Sequence, residues 1–100
     1  KYWGSASVVG FENNKQAMKY LSDKIKNSQD ANFQKGKGVY LLRNPSDKTF
    51  IWVNGNYAIA VSDYGSRIPN QMLKEYLEKY SSDLLEKEKI KIINNKKLKQ

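Results

Sequence analysis

With no Cys and no His among its 100 residues, this chain can draw a general base only from Asp, Glu, Lys and Tyr. Disulfides, thiolate or imidazole metal sites, cysteine nucleophiles and His-based triads are therefore excluded. The carboxylate pair Glu75 and Glu78 is flanked by Lys74 and Lys79. That is the pattern of ion pairs along an exposed helix face, not of an acid–base couple. No serine stands in a G-x-S-x-G or S-x-x-K context. Gly36-Lys37-Gly38 lacks the glycine and Ser/Thr spacing of a phosphate-binding loop. The reading is of a chain that is not an enzyme and calls for no cofactor or metal.

Binding chemistry is better represented. Lys35-Gly36-Lys37-Gly38-Val39-Tyr40-Leu41-Leu42 partly resembles the RNP1 pattern of RNA-recognition sheets, keeping its basic residue and both glycines. Lys37, Val39 and Leu42 replace the aromatics that would stack on bases, so the match loses the groups that supply much of the binding. Trp52 and Tyr57, beside an Asn-Gly turn, could stack on a sugar or base, although aromatics at such spacing usually belong to a core. Tyr64, Arg67 and Lys74 could gather near an anion, against the simpler reading of ordinary loop polarity.

Charge gives this binding chemistry its sign. There are 18 Lys+Arg against 10 Asp+Glu, a formal charge of +8. Residues 86–100 carry 6 Lys and 2 Glu, so +4, half of the excess, belongs to the last 15 residues. A basic run of this kind reads as a solvated tail or as a contact for phosphates or anionic lipid. Only Arg43 and Arg67 are arginines, which disfavours bidentate readout of bases. No apolar run approaches the roughly 20 residues that span a bilayer, so no membrane span is expected within the chain. A first residue other than Met implies that something precedes Lys1, and Lys1-Tyr2-Trp3 does not resemble a signal peptide.

The elements that must position these groups follow from periodicity. Residues 2–12 read as a strand with small residues interleaved. Asn13 or Asn14 then caps a helix whose apolar stripe is Ala17, Met18, Leu21 and Ile25. Residues 27–38 read as a polar loop anchored by Phe33. Val39–Arg43 and Thr49–Val53 are joined by Asn44-Pro45-Ser46-Asp47, a type I turn with Pro at its second position. Asn54-Gly55-Asn56 leads into Tyr57–Asp63 and predicts a type I′ hairpin. A second amphipathic helix carries Met72, Leu73, Tyr76, Leu77 and Tyr80, with Pro69 or Asn70 at its start and Ser81-Ser82-Asp83 as its break. Leu84-Leu85 could open a further helix, and Lys89–Ile93 could equally be a short strand.

The expected fold is α+β and two-layered: an antiparallel sheet of about four strands in the order β-α-β-β-β-α, helices on one face, and a basic C-terminal tail. Residues 1–85 form a single domain in this reading, and 86–100 a tail that is helical or partly ordered. With two-residue turns, Val39, Leu41, Phe50, Trp52, Tyr57, Ile59 and Val61 share one side. The reverse side carries Tyr40, Leu42, Thr49, Ile51, Val53, Ala58, Ala60 and Ser62. Both sides are apolar, whereas an ordinary one-sided sheet alternates apolar with polar. If the helices cover one face, the other must meet the tail, a small ligand, a protein partner or a second copy. Tyr40, Leu42, Ile51, Val53, Ala58 and Ala60 are the expected docking residues. The alternative is a nucleic-acid-binding module using Lys35, Lys37, Tyr40, Lys96 and Lys97.

W-V-N-G-N-Y-A-I-A-V-S (Trp52–Ser62) followed by Y-L-E-K-Y-S-S-D-L (Tyr76–Leu84) resembles the C-terminal part of small uncharacterised secreted or membrane-tethered domains of archaea and some bacteria. In those domains a Trp/Gly-Asn-Tyr hairpin precedes a helix ending in K-Y-P-S. Here Ser81 stands where Pro is expected, and the basic tail runs past the usual end. The resemblance covers residues 39–84 and implies an extracellular or membrane-tethered location, with a cytoplasmic one as the alternative, and a noncatalytic role. The function expected is protein interaction or self-association through an apolar sheet face or an exposed edge.

Overall fold

The computed structural model describes residues 4–63 and 70–84. In chain order they form β1 (Gly4–Gly10), α1 (Asn14–Asn27), β2 (Asp30–Gln34), β3 (Val39–Arg43), β4 (Lys48–Asn54), β5 (Tyr57–Asp63) and α2 (Asn70–Lys79). The five strands make one sheet in the order β1-β5-β4-β3-β2, with every neighbouring pair antiparallel. The fold is thus α+β around an antiparallel sheet, with one strand more than the sequence pattern predicts.

That extra strand is β2, within the segment read as a polar loop. Its sequence Asp-Ala-Asn-Phe-Gln does alternate, but only Ala31 and Phe33 are apolar, and both are half-buried. Pairing with β3 supplies what the short pattern lacks: Phe33 lies opposite Tyr40, their rings 5.0 Å apart and edge to face. Local propensity is weak here, and the cross-strand aromatic pair helps to stabilise the strand.

The helix from β1 to β2 has a defined distance to cover, because these strands are the two borders of the sheet. Edge to edge, five strands measure roughly 19 Å, and a 14-residue helix runs roughly 21 Å. α1 makes this crossing. At its start Asn13 caps the first turn, its Oδ1 accepting from Gln16 N at 2.9 Å, and Asn14 Nδ2 donates to Gly55 O in the β4–β5 turn at 2.6 Å. Beyond its end Gln29 N donates to Arg43 O, at the far end of β3. Ala17, Leu21 and Ile25 are fully buried beneath it.

The two turns of the meander differ from each other. In the first, Asp47 N donates to Asn44 O at 3.3 Å, closing the expected Asn-Pro-Ser-Asp turn. In the second, Asn54 pairs with Tyr57, so the central residues are Gly55 and Asn56. Gly55 has φ +57°, and no non-glycine residue among those described has positive φ. That is the φ pattern of a type II′ turn, with glycine in the first central position, not of the expected type I′.

The register reproduces the two apolar sides read from the sequence, since Tyr40 lies opposite Ile51 and Ile51 opposite Ala60. The helices, however, do not share one face. Tyr20 and Lys24 of α1 lie over the side bearing Leu42, Ile51 and Ala60. On the other side Trp52 Nε1 donates to Tyr80 O at 2.7 Å, and the Tyr57 and Tyr80 rings are 6.4 Å apart. The domain therefore has three layers, helix–sheet–helix, where two were expected. The reason is the sheet itself: two apolar faces each need a cover, and the chain gives one helix to each.

The segment after α2 completes the second cover. The β3–β4 ladder ends at Tyr40 and Ile51. Beyond it, Asp83 N donates to Val53 O at 2.9 Å and the Ser82 hydroxyl donates to Gly38 O. Asn54 Nδ2 donates to Ser81 O at 2.7 Å, and Gly55 N to the Asp83 carboxylate. Gly38 has φ +70° and its Cβ position would lie 3.0 Å from Ser82 Oγ, so this docking requires glycine there. Trp52 is fully buried under the segment, and its truncation to Ala would cost about 3–5 kcal/mol. Residues 85–100, with the expected tail and the Lys89–Ile93 alternatives, lie outside the described residues.

Candidate functional site

The expected docking face is the one beneath α1. Tyr40 and Val53 are fully buried, Ile51 and Ala58 are 1% exposed, Leu42 is 3% exposed, and Ala60 is half-buried. These residues share a face, as expected, but they form core and not an open surface. The sequence pattern predicts both helices on the opposite side, which would leave this one bare; the structure puts α1 here instead.

The same burial removes the stacking platform of the nucleic-acid alternative. Lys35 and Lys37 are exposed at the β2–β3 turn, but Tyr40 is inaccessible to a base. Lys96 and Lys97 lie outside the described residues, as do Tyr64 and Arg67 of the possible anion cluster. Trp52 is core, whereas Tyr57 stays 47% exposed and packs its ring near Tyr80. Glu75 and Glu78 are exposed on α2. Among the described residues no three Asp or Glu side chains come together in a way that could hold a metal ion. No helix of the described residues is long and apolar enough to cross a membrane.

What the sequence reading named only in general terms, an exposed edge, is β1. Among the described residues, no strand pairs with it on the side away from β5. Its hydrogen-bond parity is fixed by one contact. Phe11 N donates to Asn56 O at 2.8 Å, and these residues lie directly opposite each other in the continuation of the β1–β5 register. In an antiparallel ladder, bonded and non-bonded pairs alternate. Ser5, Ser7 and Val9 therefore turn their backbone groups toward β5. Gly4, Ala6, Val8 and Gly10 turn theirs outward.

The strand is chemically undefended. GSASVVG contains no charged residue and no proline, and Val8 is 36% exposed. Charge, proline and brevity are the usual means of keeping an edge from pairing with another chain. Small side chains also give the outward backbone groups little steric cover of their own. The signal was present in the sequence as the G-S-A-S-V-V-G composition, but composition cannot say whether a strand is central or at a border.

Compared with protein-family models, with curated proteins and with solved structures, the chain matches none.

Proposed function

We propose that this is a noncatalytic protein-interaction domain that accepts a partner strand along β1, and that the partner is a second copy of the chain. The observation that carries the reading is the outward set of backbone groups at Gly4, Ala6, Val8 and Gly10 on an uncharged border strand. Adding an extended segment to such an edge supplies main-chain hydrogen bonds without a preformed pocket. The outward positions are symmetric about Ser7. Antiparallel pairing of two β1 strands then sets Gly4 opposite Gly10 of the second copy and Ala6 opposite Val8 of the second copy. The joint brings together Ser, Ala, Val and Gly only, so no like charges meet across it. A two-fold contact of this kind is self-complementary, as closed dimers require. The resemblance of residues 39–84 to secreted or membrane-tethered domains supports an extracytoplasmic setting.

Sedimentation velocity on the full chain, up to about 1 mM, tests the reading at the weak affinities expected of a single added strand. The unmodified chain is expected to dimerise with concentration, and Ala6→Pro to remain monomeric with an unchanged circular dichroism spectrum. Proline at position 6 removes an outward N–H and none of the β1–β5 bonds. A monomeric parent chain, or a proline variant that dimerises equally well, would overturn the proposal.

A further inference from the structure

The crossing of α1 over its face is diagonal, from the β4–β5 turn to the far end of β3. It leaves one corner of the sheet beside it, where β1, β5 and β4 lie together. There Ser62 pairs with Ser5 on one side and Thr49 on the other, and Ser7 stands one step along on the same face. Thr49 Oγ1 and Ser62 Oγ are 2.9 Å apart. These hydroxyls line a cavity of about 370 Å³ between the sheet and the C-terminal half of α1. Tyr20 and Lys24 form its helix wall, the Lys24 ammonium lying 5.4 Å from the Tyr20 ring centre. Asp47 lines it from the β3–β4 turn, and Ile51 and Ala60 give it an apolar floor.

The polar boundary on this face follows the shadow of the helix. Under α1 the residues are Tyr40, Ile51, Val53 and Ala58, all buried; beside it they are Ser7, Thr49 and Ser62. Valine or isoleucine would suit strand geometry equally well at each of those three positions, so hydroxyls here mark a surface that meets polar groups. The volume falls within the range of small-molecule sites.

We infer that this corner binds a neutral polyhydroxylated compound of monosaccharide size. A hydroxyl both donates and accepts, so a row of them complements a ligand whose own groups do the same. The opposite charges of Lys24 and Asp47 offset each other at the cavity wall, which disfavours selection of an anion. The half-buried Ala60 in the floor, backed by the buried Ile51, gives the C–H face of a sugar ring an apolar contact. This site uses side chains on one face of β1, whereas strand addition uses its outward backbone, so the two proposals stand or fall separately.

The test is a titration followed by ¹⁵N–¹H correlation spectra, with D-glucose, D-ribose and myo-inositol as probes and sodium sulfate as the anionic comparator. At least one of the three polyols is expected to move the amide signals of Ser7, Thr49 and Ser62 saturably, with a dissociation constant of about 1–10 mM. Ser62→Ala is expected to weaken that binding about tenfold, since it removes a hydroxyl from the centre of the row. Thr49→Ser, which keeps the hydroxyl, is expected to bind within about threefold of the parent chain. Saturation by sulfate alone, no saturation by any polyol, or polyol binding indifferent to Ser62→Ala would each overturn the inference.

Discussion

The two borders of the sheet are built in opposite ways. β2 is short, five residues, and turns Asp30 and Asn32 to solvent. Asn32 Nδ2 donates to Asp30 Oδ2 at 3.0 Å, and Arg43 Nε stands 3.9 Å from the same oxygen. The ion pair is exposed and adds little stability. Its consequence is steric and electrostatic: a strand arriving at β2 must displace or desolvate charged groups. β1 has seven residues and none of these obstacles. Within one sheet, then, one border is defended, and the other has no such defence among the described residues. The means of protection lies in side chains that contribute almost nothing to folding.

The largest expected effect separates the inward from the outward backbone of β1. Ser7→Pro removes an N–H that faces β5 and should lower stability by about 3 kcal/mol in urea denaturation. Ala6→Pro, one residue away, should cost about 1 kcal/mol or less. Equal losses would show that the parity deduced from Phe11 and Asn56 is wrong. Next, placing a charge on the open border should make it resemble β2: Val8→Lys is expected to weaken dimerisation about tenfold, or about 1.4 kcal/mol, measured by sedimentation. The converse change should make β2 resemble β1. Asp30→Val with Asn32→Val, added to Ala6→Pro, should restore concentration-dependent association through the other border, again by roughly tenfold. The smallest effect is that of salt. Both copies carry +8, so raising ionic strength should strengthen dimerisation by about threefold or less as repulsion is screened. A steep weakening would instead place the contact on charged groups.

The meander and both helices were legible because each rests on a local signal. The Asn-Pro-Ser-Asp and Asn-Gly turns set strand ends, and Ala17, Leu21 and Ile25 mark a helix stripe independent of any partner. Even the two sides of the sheet follow from turn length alone. What the sequence did not carry was allocation. Nothing in the stripe of α1 says which apolar face it will cover, and the docking residues Tyr40, Ile51 and Val53 were misread for that reason. β2 was missed because two apolar residues make too short a pattern, and its partner Tyr40 is known only once the strands are paired. The border position of β1 was likewise invisible, since it is set by a pairing with β5 across most of the chain.

That distant pairing has a consequence for the order of assembly. β2 through β5 are joined by short turns and can zip together locally, whereas β1 must close a loop of nearly fifty residues before it gains a single bond, so it joins late. Until it does, β5 is itself a bare margin. A second chain's β1 fits that margin as well as the chain's own, so refolding at high concentration should yield intertwined pairs that exchange their first strands.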